Sequence, residues 1–214
     1  MHVLVMRAKF FSATFILITV GMLFISCQKE LKLDDSSGGG GGGITGQKPK
    51  VGTTWTYRYY TYHQLGGVAS SAVLTYKAKS EENLGGEQWL KIVDVDTDTT
   101  VYLLNEKAGG LYQYANGSSY LLCKYPANLN DTYNSFNEGL AENFIVKSVN
   151  TILPTGVGDI PVNYYEAYVG TQIIDLLWYN ENVWIPRKLK YISRSVVLPT
   201  YFLYSALYLD SIVY

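Results

Sequence analysis

From Val51 to Tyr214 the chain alternates apolar and polar residues with a period of two, rich in β-branched and aromatic types and interrupted by Gly and Asn. Thr53–His63 reads as a first strand with Trp55, Tyr57 and Tyr59 on one face. Further strands are read over 70–81, 88–96, 99–106, 111–114 and 119–124, the last two joined by Asn116-Gly117, a type I′ hairpin signal. After a loop spanning Tyr125–Asn137, the pattern resumes over 141–152, 160–169, 173–179, 183–193 and 200–214. The nearest approach to a helical stripe, Phe136–Ile145, does not sustain the i, i+3, i+4, i+7 spacing of an amphipathic helix. The expectation is all-β: about ten or eleven strands with short links, forming a strongly curved antiparallel meander that closes as an open barrel or packs as a sandwich.

Three strands carry further information. In the last, Tyr201, Leu203, Leu207 and Leu209 alternate with Phe202, Tyr204, Ala206 and Tyr208, so both faces are apolar and the strand is expected to be covered on both sides. The segment 173–179 behaves alike. In 183–193 the face bearing Trp184, Pro186, Lys188 and Lys190 reads as wet, and Pro186 cannot donate to a ladder, which predicts a sheet edge.

The first 50 residues follow other rules. Arg7 and Lys9 precede an uncharged run, Phe10–Ile25, which as a helix reaches roughly 24 Å, short of the ~30 Å hydrocarbon core of a bilayer. Ser26 and Cys27 close it. Positive flank, short apolar run and small-residue end are the parts of an export signal. Phe24-Ile25-Ser26-Cys27 resembles the lipobox of bacterial lipoproteins. The resemblance implies removal of residues 1–26, lipidation of Cys27 and attachment to a membrane through acyl chains, each buried CH₂ contributing about 0.8 kcal/mol. Gln28-Lys29-Glu30 resembles the start of the surface-export signal of Bacteroidota lipoproteins, which implies an outer-membrane address on the periplasmic face or the cell surface. Residues 27–50 include Asp34-Asp35-Ser36-Ser37 and six consecutive glycines, Gly38–Gly43, and read as a tether with a root-mean-square reach of roughly 25 Å. Residues 51–214 form the folded domain. Within it, Gly52-Thr53-Thr54-Trp55-Thr56-Tyr57, Leu122–Pro126 and Val183–Tyr191 resemble β-rich Bacteroidota lipoprotein domains with a curved sheet like that of the LolA/LolB carriers. That likeness implies a ligand-holding or scaffold role.

Composition narrows the function classes. The 214 residues hold 17 basic and 18 acidic side chains, a net charge of −1, which lacks the basic footprint of a nucleic-acid binder. Only His63 remains beyond the leader, a strand-end histidine with no nucleophile elbow to serve. Cys123 reads as a small core residue. Asp94, Asp96 and Asp98 have the spacing of a calcium loop, but Thr99 and Asn105 stand where such a loop needs Gly and Glu, so a polar hairpin tip is expected. No catalytic residue, metal site or cofactor is assigned. Glu166 and Asp175 are the best candidates for a two-carboxylate hydrolase. Asp175 among aliphatics and Asp210 between Tyr208 and Ile212 each need a partner, with Arg58, Arg187, Arg194 or a tyrosine hydroxyl available.

Tyr occurs 20 times. Most serve packing, while Tyr57, Tyr59, Tyr204 and Tyr208, with Asp175 and Asp210, are the candidate ligand-binding set. The expected function is non-catalytic binding of a glycan or amphiphile in an aromatic-lined cleft by a lipid-anchored envelope protein. The alternatives are a module docking to another envelope protein, a carboxylate-based hydrolase, and a transmembrane barrel with its outward apolar band.

Overall fold

The computed structural model describes residues 46–137, 139–193 and 201–214. It is all-β. Twelve strands follow one another: β1 (Thr54–Tyr62), β2 (Val68–Leu84), β3 (Glu87–Asp94), β4 (Thr100–Lys107), β5 (Gly109–Ala115), β6 (Ser118–Tyr125), β7 (Thr132–Asn137), β8 (Leu140–Thr155), β9 (Gly158–Val169), β10 (Gln172–Asn180), β11 (Trp184–Ser193) and β12 (Tyr201–Val213). Among the described residues, no helix is long and apolar enough to cross a membrane. Cys27, the leader and nearly all of the tether lie outside the described residues.

All twelve strands join one antiparallel sheet in the order β6-β5-β4-β3-β2-β1-β12-β11-β10-β9-β8-β7. The first and last strands therefore pair at its centre, and its two ends, β6 and β7, are neighbours in sequence. Side chains close the seam between them. Tyr133 Oη donates to the Leu122 carbonyl at 2.9 Å, the Tyr120 and Phe136 rings lie 5.1 Å apart, and Lys124 pairs with Asp131 at 2.9 Å. The result is a nearly closed barrel.

The inner face is filled. Trp55, Tyr57, Ile92, Leu104, Leu111, Phe144, Val146, Tyr165 and Leu177 are all buried. Buried aromatics carry their polar ends to main-chain acceptors across the interior, as such side chains must. Trp55 Nε1 donates to Val183 O at 3.0 Å, Tyr57 Oη to Ile185 O at 3.0 Å, and Tyr165 Oη to Lys124 O at 2.6 Å.

Four expectations are corrected. Thr132–Asn137 is a strand, β7, rather than part of a loop. Strand β11 is flanked by β10 and β12 and is not an edge. Its ladder with β12 runs only as far as Arg187↔Tyr208, so Pro186 lies beyond the last pair and its missing N–H breaks no bond with β12. The supposedly wet face of β11 turns inward: Trp184 and Lys188 are buried, opposite Leu207 and the interior rather than water. Finally, β12 is central, but its outer side is half-exposed rather than covered, with Tyr204 at 41%.

The gap where β12 leaves β11 is filled by the turn between β8 and β9. Gly156 N–H donates to the Leu209 carbonyl at 3.1 Å, and Val157 packs against the core. A Cβ on Gly156 would lie 2.1 Å from the Asp210 carbonyl oxygen. We predict that Gly156→Ala destabilises the fold by about 1–3 kcal/mol through this overpacking, measured by urea unfolding; an unchanged midpoint would contradict the close approach. The buried hydroxyls give a second prediction. Burial raises the pKa of Tyr57, Tyr133, Tyr165 and Tyr179 above the ordinary tyrosine value of 10.0. The folded state then retains protons that the unfolded chain releases, so the contribution of these groups to stability is constant below about pH 10 and is lost above it. Tyrosinate absorbance from these groups should rise together with loss of structure, and their independent titration in a folded protein would contradict the burial.

Candidate functional site

Directly opposed residues in antiparallel strands share a face, so the register assigns each candidate side chain to the interior or the exterior. The six candidate binding residues divide evenly. Tyr57 and Tyr59 face Leu209 and Leu207, and Asp175 faces Ala167 and Lys190, all on the inner side. Tyr204, Tyr208 and Asp210 belong to the outer side. One shared cleft does not form.

Inside, Tyr57 contributes to a small apolar cavity with Trp55, Tyr76, Tyr102, Trp184 and Leu207. Its volume of about 20 Å³ has room for about one water molecule, not for a sugar ring or an acyl chain. Asp175 is 2% exposed and ion-pairs with Lys188, Nζ to Oδ2 3.8 Å. Glu166 points the other way, since it is opposed to Leu176 while Asp175 is opposed to Ala167. The two acids lie on opposite faces of the sheet and do not form a two-carboxylate site. The Glu166 carboxylate is held by the hydroxyls of Tyr164, at 2.9 Å, and Tyr168, with Lys147 at 3.6 Å. Asp210 pairs with Arg58 at 2.7 Å. Asp94 Oδ1 accepts from the N–H groups of Asp96 and Thr97 at 3.0 Å, and Asp98 pairs with Lys79, which makes this run the polar hairpin tip expected. Cys123 is fully buried. Among the described residues, no group of three His, Cys, Asp or Glu side chains could hold a metal.

The outer face supplies the arrangement the candidate set only touches. Arg58 of β1 is opposed to Tyr208 of β12, Tyr208 to Arg187 of β11, Arg187 to Trp178 of β10, and Trp178 to Tyr164 of β9. Five adjacent strands thus place Arg, Tyr, Arg, Trp and Tyr in one row, about 19 Å long at the ordinary strand spacing. The side chains stack along it. The Arg187 guanidinium carbon lies 5.0 Å from the Tyr208 ring centre and 5.4 Å from that of Trp178, and the Trp178 and Tyr164 rings are 4.7 Å apart and 19° from parallel. Tyr60 meets Tyr208 edge-on at 6.0 Å. Beside the row lies a floor of Ala206, Leu189 and Leu176, successively opposed.

Every member of the row is half-buried, with the Tyr164 ring stacked on Trp178 and the Arg187 guanidinium over both Trp178 and Tyr208. The acids along the face, Asp210 and Glu166, are each paired with a base, Arg58 and Lys147. Burial and neighbouring Tyr208 raise the pKa of Tyr62 and Tyr191, burial and Glu166 raise that of Tyr164, and the hydrogen bond to Glu166 pushes Tyr168 up to about 12. Paired charges at mid-strand, Arg58–Asp210 and Lys147–Glu166, also interrupt the outward apolar band that a lipid-facing barrel requires.

Compared with models of known protein families, with curated proteins and with solved structures, the chain matches none.

The two ion pairs should differ in consequence. Arg58→Ala removes a half-exposed pair and should cost no more than about 1 kcal/mol. Lys188→Met leaves the Asp175 carboxylate in the interior without that cation and should cost about 3 kcal/mol or more. Denaturant titration of both variants checks this, and equal effects would contradict the assignment of Asp175 to the interior.

Proposed function

We propose that this chain is a lipid-anchored protein of the cell envelope, held at the outer membrane through Cys27, which binds a glycan without transforming it on the outer face of β9, β10, β11, β12 and β1. The observation that carries the reading is the in-register row Arg58–Tyr208–Arg187–Trp178–Tyr164. Ring faces stack on the apolar faces of sugars, while guanidinium and phenol groups supply hydrogen bonds to hydroxyls. Strand-borne side chains locked by mutual stacking lose little freedom on binding, which favours affinity. The filled interior favours a glycan over an amphiphile, because an acyl chain would need room that the small cavity lacks. The separation of Glu166 from Asp175 across the sheet favours binding over carboxylate-based hydrolysis.

A second reading draws on the same row: Trp, Tyr and Arg are also the residue types that dominate protein–protein interfaces, so the face would suit docking to another envelope protein.

The test is a glycan array probed with the detergent-solubilised full chain, followed by titration of the best ligand. Trp178→Ala and Arg187→Ala should each weaken binding about tenfold, corresponding to roughly 1.4 kcal/mol, while the interior variant Tyr57→Phe should leave affinity unchanged. Binding that survives Trp178→Ala, or no glycan bound at all, would overturn the glycan reading; loss of a captured envelope protein on Trp178→Ala, with the array blank, would establish the docking alternative. Anchoring is tested separately by incorporation of labelled palmitate, expected in the natural sequence and absent in Cys27→Ala.

A further inference from the structure

A polar cluster that the outer face does not use sits where the segment before β1 meets the turn between β10 and β11. Glu106, near the end of β4, has a side chain only 15% exposed, and both its oxygens are engaged. Oε1 accepts from Lys48 Nζ at 2.5 Å, and Oε2 accepts from the indole N–H of Trp184 at 3.2 Å. Glu181, in the turn, accepts at Oε1 from the Tyr125 hydroxyl at 3.5 Å, and its Oε2 lies 3.8 Å from Lys48 Nζ. The turn itself is pinned. Asn182 N–H donates to Asn180 Oδ1 at 2.8 Å, and the Tyr214 hydroxyl donates to the Asn182 carbonyl at 2.7 Å. Directly after it, Trp184 adopts φ 66°, uncommon for a bulky residue, and stacks on Trp55 with ring centres 5.9 Å apart.

Lys48 fills this seat incompletely. It is the only cation within ion-pair distance of either acid among the described residues, so one ammonium faces two carboxylates. An ammonium has three donors. Lys48 spends one on Glu106, stays beyond hydrogen-bond distance of Glu181, and its side chain is 56% exposed. The remaining acceptor is Tyr179, whose hydroxyl is buried without a hydrogen-bond partner among the described residues. The Tyr125 ring meets Tyr179 edge-on at 5.7 Å, and beyond the effect of burial the charges of Glu106 and Glu181 both bear on the Tyr179 hydroxyl. Buried polar groups are nearly always paired, so an unpaired hydroxyl beside two acids marks the place of a missing donor.

We propose that this seat binds the alkylammonium group of a soluble ligand, which displaces Lys48 as the built-in occupant. Glu106 and Glu181 accept two of the ligand's N–H donors, and the Tyr179 oxygen accepts the third. Trp184 and Tyr125 hold the carboxylates in place and supply aromatic surface, the combination that suits an organic cation. An ammonium with an anion beside it fits badly, because that anion would face both carboxylates. An exposed ion pair such as that of Lys48 is weak, so little opposes the exchange. The proposal does not depend on what the outer face binds.

The experiment titrates the full chain in detergent with n-butylammonium chloride and follows the indole N–H resonance of Trp184, with sodium chloride at equal ionic strength as control. The natural sequence should show a saturable shift that sodium does not produce. Lys48→Ala should bind about tenfold more tightly, because an internal occupant lowers apparent affinity by the fraction of time the seat is open. In the Lys48→Ala background, Glu181→Gln and Tyr179→Phe should each weaken binding about tenfold with the thermal midpoint retained, since each removes an acceptor for a charged donor. Tyr179→Phe separates binding from folding, because the hydroxyl it deletes has no partner in the protein. Trp178→Ala should leave the affinity unchanged. O-Phosphoethanolamine, whose ammonium carries a phosphate as in a lipid headgroup, should bind at least about tenfold more weakly than n-butylammonium. No saturable shift in Lys48→Ala, an equal shift with sodium, or an affinity indifferent to Glu181→Gln and Tyr179→Phe would overturn the proposal. Equal binding of O-phosphoethanolamine would overturn it in favour of a lipid headgroup.

Discussion

Pairing of β1 with β12 is the constraint on which the remaining architecture rests. Each half of the chain is a meander of hairpins that could form from local contacts, but neither half buries its inner face alone. Only when Thr54–Thr61 aligns against Ser205–Val213 do the two fans become one sheet whose ends, β6 and β7, meet at a side-chain seam. The register is exacting, because a slip of one residue would send either Trp55 and Tyr57 or Leu207 and Leu209 to the outside. Contacts of such sequence separation are slow to form, so this closure is expected to limit the folding rate. The hairpin turn that seats Gly156 on the backbone of β12 braces the same junction from within the half of the chain that β12 belongs to.

The same register creates the outer face. With the inward set of β1 and β12 fixed, Arg58 and Tyr208 must point outward, and the ladders of β11, β10 and β9 extend their row to Arg187, Trp178 and Tyr164. Fold and site thus have one cause. The interior contributes rigidity instead of a cavity: aromatic side chains tied to main-chain carbonyls across the barrel, and the Lys188–Asp175 pair in place of a ligand. The proposed reading follows from this division, with a packed inside supporting a stacked, half-exposed outside.

Much of the fold is legible in the amino-acid sequence because period-two alternation survives in nearly every strand. The exception, β7, reads Thr-Tyr-Asn-Ser-Phe-Asn, where Asn and Ser imitate a loop and the inward alternation of Tyr133 and Ser135 lacks hydrophobic emphasis. Pro186 and the lysines of β11 mislead for a different reason. Their environment is set by where the β11–β12 ladder stops and by an irregularity between Trp178 and Asn180, and neither follows from residue type. The site is less legible. Alternation along one strand identifies Tyr208 as facing opposite to Leu207, but which residues stand beside it depends on four separate registers and on the bulge at Thr56/Tyr57. Tyr57 and Asp175 are conspicuous by composition alone, yet both belong to the interior. The partner of Asp210, Arg58, was accessible to chemical reasoning, whereas Lys188 beside Asp175 was not.

Of the four tryptophans, Trp55, Trp89 and Trp184 are buried, and only Trp178, the fourth residue of the outer row, is half-exposed. Quenching of tryptophan emission by acrylamide, with and without a bound oligosaccharide, therefore isolates the proposed face most directly. The account predicts one accessible emitter that the oligosaccharide shields, and loss of both signals in Trp178→Phe. A ligand that binds while Trp178 remains fully open to the quencher would contradict it.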